Sequence, residues 1–230
     1  MTRLEQTIGY RFRNKNLLLA ALTHPSYQNE REANVPIENF QRLEFLGDSI
    51  LDFFIVRKLY DLFPEANEGL LSRLRSILVS KKFLARIART LRLSPALLLG
   101  EREQKLPAAL REKILADTFE ALVAAIYFDR GQKTVEQFLL KHFKPYFNPK
   151  KLFQFDPNPK STLQEYTQKK FGMLPHYQSK HEKKQERFKV WVSIKRKMRA
   201  TGMGRTKQEA ESKAAAALLK KLKIRRVFSF

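Results

Sequence analysis

The sequence contains no cysteine, and its four histidines, His24, His142, His176 and His181, are scattered. The first absence excludes disulfides and every thiolate metal site, and it fits a reducing compartment. The scatter leaves no histidine pair at the spacing of a helical metal motif. No apolar run approaches the roughly 18 residues of a membrane span. The opening stretch MTRLEQTIGY lacks the apolar segment of a signal peptide. These features predict a cytoplasmic protein without a membrane partner. Negative charge is also scarce: 23 Asp+Glu stand against 45 Lys+Arg, for a formal net charge of +22. Hydrophobic residues make up 43% of the 230 positions, enough for a packed core. The expected partner is a polyanion.

The positive charge is unevenly placed. Residues 1–150 hold 24 basic and 17 acidic side chains, a net +7, while residues 151–230 hold 21 and 6, a net +15. Between them, Phe147 to Lys160 reads FNPKKLFQFDPNPK, with three prolines and two Asn-Pro pairs that break any helical pattern. The expected organisation is a domain over 1–148, a linker over 149–158, a second domain over 159–225 and a short tail over 226–230.

The two parts differ in fold class. The first is expected to be all-α: apolar residues recur at helical spacing over 16–22, 38–63, 69–79, 81–92 and 111–128. The second is expected to be α+β in the order α-β-β-β-α. Its helices cover 160–171 and 206–222, and its strands lie near 175–181, 187–195 and 197–203. Thr201-Gly202-Met203-Gly204 reads as the turn entering the last helix.

Two helices of the first part are apolar on nearly every face, which predicts burial, yet both carry acids. Glu44 and Asp48 stand four apart in Leu43-Glu44-Phe45-Leu46-Gly47-Asp48, and Asp117 and Glu120 stand three apart in Ala116-Asp117-Thr118-Phe119-Glu120. Each pair shares a helix face. Buried carboxylates are expensive unless paired or bound to a cation. Salt bridges to Arg42, Arg73, Arg75 or Lys113 are one solution. Four convergent oxygens suit a hard cation, Mg²⁺ or Mn²⁺, which beside a polyanion suggests metal-assisted phosphodiester cleavage.

The run Gln41-Arg42-Leu43-Glu44-Phe45-Leu46-Gly47-Asp48-Ser49-Ile50-Leu51 resembles the signature of the bacterial ribonuclease III family, and Leu115–Leu122 resembles its second acidic motif. Leu22-Thr23-His24-Pro25-Ser26-Tyr27 and Glu68–Arg75 add to the likeness. The resemblance implies a homodimer that cuts double-stranded RNA with Mg²⁺, for which Mn²⁺ can substitute, and with no small-molecule cofactor. It implies Glu44, Asp48, Asp117 and Glu120 as metal ligands, Asp48 and Glu120 as the catalytic pair, and Phe45 as a dimer contact. It further implies 5′-phosphate and 3′-hydroxyl product ends, and a part in maturing ribosomal RNA precursors and structured transcripts. His24 reads as structural, near a helix end. Three positions depart from the family pattern: Gln41, where an acid is usual, the Glu103–Ala109 loop, and Lys113.

The basic second part resembles a double-stranded RNA-binding domain. The family likeness implies RNA contacts from Ser161, Gln164, Glu165 and Gln168 on its first helix, and from Lys207 and Lys213 on its last. Such modules read ribose hydroxyls and phosphates, because the A-form major groove is too narrow for side chains. Gln208 stands where a lysine is usual, and the 181–187 loop diverges from the family turn. Two competing readings are a duplex-RNA-binding protein whose helical domain only dimerises, and a basic DNA-binding structural protein. Retention of four acids in apolar helices favours the nuclease over both.

Overall fold

The computed structural model describes residues 1–27, 38–148, 158–182, 186–195 and 198–222, and side chains from Phe40 onward in the helix that starts at 38. The expected linker over 149–158, except Asn158, lies outside the described residues, as does the tail. The chain divides into two compact units, Met1–Phe155 and Asp156–Phe230.

The first unit is helical: α1 (Arg3–Ile8), α2 (Lys15–Leu22), α3 (Glu38–Leu62), α4 (Glu68–Leu78), α5 (Lys81–Thr90), α6 (Glu101–Gln104), α7 (Ala108–Arg130) and α8 (Gln132–Phe143). Its axis is α7, in which every residue from Ile114 to Ile126 is buried. A helix that is apolar all round can only lie inside, and α2, α3, α5 and α8 pack around it. Phe119 sits among Phe138 and Phe143 with ring centroids 6.3 and 6.1 Å away. Short polar caps start the outer helices: Asn14 on α2, Asn67 on α4 and Ser80 on α5 each accept a backbone N–H from the first turn. The amphipathic α8, with Val135, Phe138, Leu139 and Phe143 buried, is a helix the periodicity reading passed over. So are α1 and α6, which are too short to show a period.

At the N-terminus Glu5 is wholly buried yet satisfied. It closes a capping box with Thr2, accepts the Phe12 amide at 2.9 Å and pairs with Lys15. Burial alone would raise its pKa, but these hydrogen bonds hold it down to about 2. At the far end of α7, Asp129 accepts the Tyr10 hydroxyl at 2.6 Å and the amides of Arg13 and Asn14. That ties the N-terminal segment to the central helix.

Helices α3 and α7 make the most extensive helix contact in the unit. Their approach is set by Gly47, where an added Cβ would lie 1.8 Å from the Glu120 carbonyl oxygen. Gly47 therefore brings the backbone carrying Glu44 and Asp48 directly against the backbone carrying Asp117 and Glu120.

The second unit runs α9 (Pro159–Phe171), β1 (His176–Glu182), β2 (Arg187–Ile194), β3 (Met198–Gly204) and α10 (Lys207–Lys221). The sheet is antiparallel in the order β1-β2-β3, with Val190 opposite Ser179 and Gly202. Val190, Val192 and Ile194 pack on Leu163, Ala210, Ala214, Ala215 and Leu218. The expected turn at Thr201–Gly204 is instead the end of β3. Its glycines serve close packing: a Cβ at Gly202 would come within 2.3 Å of Ala210 O and Ala214 N. The alanines and the glycine together let α10 lie on the sheet.

Candidate active site and nucleic-acid interface

Three of the four expected acids converge. One carboxylate oxygen from each of Glu44, Asp117 and Glu120 lies within 4.8 Å of the others. Glu44 comes from α3 and is half-buried, whereas Asp117 and Glu120 come from α7 and are buried, Glu120 at 1% exposure. Asp48, one turn beyond Glu44, is exposed and its carboxylate is outside this group. Its charge still bears on Glu120.

The cation hydrogen-bonded to Asp117 and Glu120 is Lys81, the first residue of α5, which the sequence reading did not name. Its Nζ donates to Asp117 Oδ1 at 2.5 Å and to Glu120 Oε2 and Oε1 at 2.8 and 3.1 Å, and it stands 3.8 Å from Glu44. Arg75 is engaged elsewhere, donating to Asp52 Oδ1 at 2.5 Å. Nothing in the sequence marks Lys81, because its 36-residue separation from Asp117 is closed only by the packing of α5 on α7.

The electrostatics follow from crowding like charges in a dry place. Burial pushes the Glu120 carboxyl up to about 7 against the hydrogen bond from Lys81, and Asp48 and Asp117 add to the rise. Glu44 is raised by burial and then by Asp117, with Lys81 and Lys113 opposing. Burial works against the charge on Lys81 too, but its hydrogen bonds to Asp117 and Glu120 hold it above the ordinary lysine range. An oxygen-only donor set of three carboxylates, two of them buried, fits a hard divalent cation. His24 is not among the ligand oxygens. Its Nδ1 pairs with Ser26 Oγ at 2.8 Å, and Ser26 Oγ accepts the Gly100 amide at 3.0 Å, which fastens the end of α2 to the chain before α6.

Phe45 is 79% exposed, although it lies between the acids of α3. Phe53, Val56 and Tyr60, also exposed, lie on the same side of the helix at i+8, i+11 and i+15, with the polar Ser49 and Asp52 between them and Phe45. Several large apolar side chains exposed on one side of a helix mark a candidate interaction site.

In the second unit Ser161, Gln164, Glu165 and Gln168 are all exposed along one side of α9, opposite the buried Thr162, Leu163, Tyr166 and Thr167. Thr206 caps α10 by accepting the Glu209 amide at 3.1 Å, and Lys207, exposed, opens the helix. Lys213 is exposed but donates to Glu209 Oε1 at 2.6 Å, so part of its charge is spent within the helix. Of the divergent 181–187 loop, 183–185 lie outside the described residues, as do Arg196 and Lys197.

Comparison with known proteins agrees with this two-unit fold. A family model described as Ribonuclease-III-like matches residues 14–146, and one described as Double-stranded RNA binding motif matches residues 159–222. The protein named Ribonuclease 3 of Leptospira interrogans is 38% identical over 226 residues, spanning 97% of this chain and 91% of that protein. The chain belongs to the ribonuclease III family. It is therefore an endoribonuclease, with a helical nuclease unit followed by a double-stranded RNA-binding unit. Ribonuclease 3 of Geobacter metallireducens is also 38% identical, over 95% of this chain and 90% of its own length. The crystal structure of the nuclease domain of ribonuclease III from Campylobacter jejuni is 35% identical, with a TM-score of 0.56, and covers 64% of this chain and 98% of its own. Among the described residues of this chain no helix is long and apolar enough to cross a membrane.

Proposed function

We propose that this protein is a Mg²⁺-dependent, cytoplasmic endoribonuclease that hydrolyses both strands of duplex RNA as a homodimer, leaving 5′-phosphate and 3′-hydroxyl ends. The observation that carries the reading is the convergence of Glu44, Asp117 and Glu120 on one point between α3 and α7. Glu44, Asp117 and Glu120 would hold a divalent ion there, which when bound would supply an activated water and neutralise charge on the phosphodiester. Glu120 is the central ligand, because it is the most buried of the acids and faces both Asp117 and Asp48. Asp48, exposed at the rim, completes the set from the solvent side, where the RNA backbone arrives.

Recognition belongs to the basic unit. The amides and carboxylate of Gln164, Gln168 and Glu165, with the Ser161 hydroxyl, present hydrogen-bonding groups to ribose 2′-hydroxyls. Lys207 and the amino end of α10 meet phosphate, helped by Lys213. Two active sites are needed to cut two antiparallel strands, and the side of α3 that carries Phe45, Phe53, Val56 and Tyr60 is the surface on which a second copy docks. Phe45 enters the partner as an apolar anchor. Ribosomal RNA precursors and structured transcripts supply duplexes of the required kind.

The test is cleavage of a duplex RNA by the full chain with Mg²⁺, with EDTA, and with an equal-length DNA duplex as competitor. Cutting is expected only with Mg²⁺, to leave 5′-phosphates, and to resist the DNA. The same preparation should sediment at twice the chain mass. Undiminished cutting in EDTA removes the metal from the reading, parity between RNA and DNA removes the ribose contacts, and a strict monomer removes the Phe45 assignment.

A further inference from the structure

We propose that Lys81 is a tethered competitor for the metal: its ammonium and the divalent ion contend for the same oxygens of Glu44, Asp117 and Glu120, so that Lys81 sets how tightly the site holds metal. This rests on the reading of those acids as metal ligands. The Nζ lies 2.5 Å from Asp117 Oδ1, 2.8 Å from Glu120 Oε2 and 3.8 Å from Glu44 Oε1. A Mg²⁺-sized ion takes such oxygens at about 2.1 Å. Cation and ammonium therefore claim the same few cubic ångströms, and they repel.

The chain is built to let Lys81 leave. Its backbone is fixed, since it begins α5 behind the Ser80 cap, whose hydroxyl accepts the Phe83 amide at 3.3 Å. Its side chain is 44% exposed, whereas those of Asp117 and Glu120 are 11% and 1% exposed. The flexible four-carbon stem can swing the charge into water while the acids stay in place. Three carboxylates packed within 4.8 Å would repel one another without a counter-charge. Lys81 supplies one positive charge from within the chain, and a divalent ion supplies two. The ammonium thus keeps the acids gathered in a shape the metal can use, at a cost in metal affinity.

The experiment is calorimetric titration of Mn²⁺ into the full chain, without RNA, for the parent, Lys81→Met, Lys81→Gln and Glu120→Gln proteins, with thermal melts in EDTA and in saturating Mn²⁺. Lys81→Met keeps the length and removes the charge. Both Lys81 variants are expected to bind Mn²⁺ at least about ten-fold more tightly than the parent. They should melt lower in EDTA and gain more from Mn²⁺ than the parent does. Mn²⁺ affinity equal to or weaker than that of the parent in the Lys81 variants, with Glu120→Gln impaired, overturns the competition and leaves the metal site standing. Parental binding by Glu120→Gln overturns the metal site, and the competition with it.

Discussion

Glu120→Gln is expected to slow cleavage of duplex RNA by about 10³-fold or more while leaving duplex binding at the parent affinity. Groups that only orient a ligand cost about 10–100-fold in metal affinity or activity, so loss of a direct and central ligand costs more. The substitution keeps the shape of the side chain and removes its charge. It should not unfold the protein. Burial already disfavours ionised Glu120, whose carboxyl is pushed from 4.5 up to about 7, so the folded state loses stability as pH rises through that interval and carries the full penalty above it. A neutral amide relieves the penalty and gives up the charge on one partner of Lys81. A melting temperature equal to the parent's, or a few degrees higher, is the expected result. The double-stranded RNA-binding motif lies in a separate unit, Asp156–Phe230. Single-turnover cleavage, a binding isotherm on duplex RNA and a thermal melt check the three parts. Cleavage within about ten-fold of the parent would show that Glu120 is not a ligand.

Gly47→Ala is expected to be the most destabilising single methyl in the nuclease unit. The added carbon would lie 1.8 Å from the Glu120 carbonyl oxygen, 2.6 Å from its carbonyl carbon and 3.3 Å from the Ala124 amide nitrogen. All three are backbone atoms of α7, so no side-chain rotation can relieve the overlap. The helices must separate, and α7 is buried along 13 consecutive residues. Overpacking a well-filled core costs about 1–3 kcal/mol, and a collision with backbone belongs at or beyond the top of that range. A loss of about 3 kcal/mol lowers the melting temperature of a unit this size by roughly 6–12 °C. Cleavage should fall as well, because the displaced backbone is the one that carries Glu120. Gly69→Ala is the control: it lies in the first turn of α4 with its nearest neighbour 3.7 Å away, so a methyl there should be neutral or slightly stabilising. Thermal melts of the two variants decide the matter, and equal melting temperatures would contradict the close crossing of α3 and α7.

Much of this protein is written in local pattern. The largely apolar run from Ile114 to Ile126 reads as an interior helix, and alternation over Phe188–Ile194 reads as a strand with one covered face. Acids lodged in such helices announced themselves by their cost, before any fold was known. Other features were out of reach of a one-dimensional reading. The glycines at 202 and 204 looked like a turn, because glycine in sequence signals backbone freedom. In the structure they are strand residues that keep α10 close, a need set by Ala210 and Ala214 across the interface. Short helices such as α1 left no period to read.

What the sequence alone determined is therefore the inventory: two units that share the positive charge unequally, an all-α and an α-β-β-β-α fold, and four acids on two apolar helices. Tertiary structure decided their grouping. It joined Glu44 to Asp117 and Glu120 while leaving Asp48 at the rim, put Phe45 in solvent in spite of its apolar neighbours, and set Lys81, which no motif marks, among the acids. The physical reason is range. Periodicity fixes which residues share a face of one helix, but which face meets which depends on how closely two backbones can approach. That distance is set at Gly47, by the absence of a side chain.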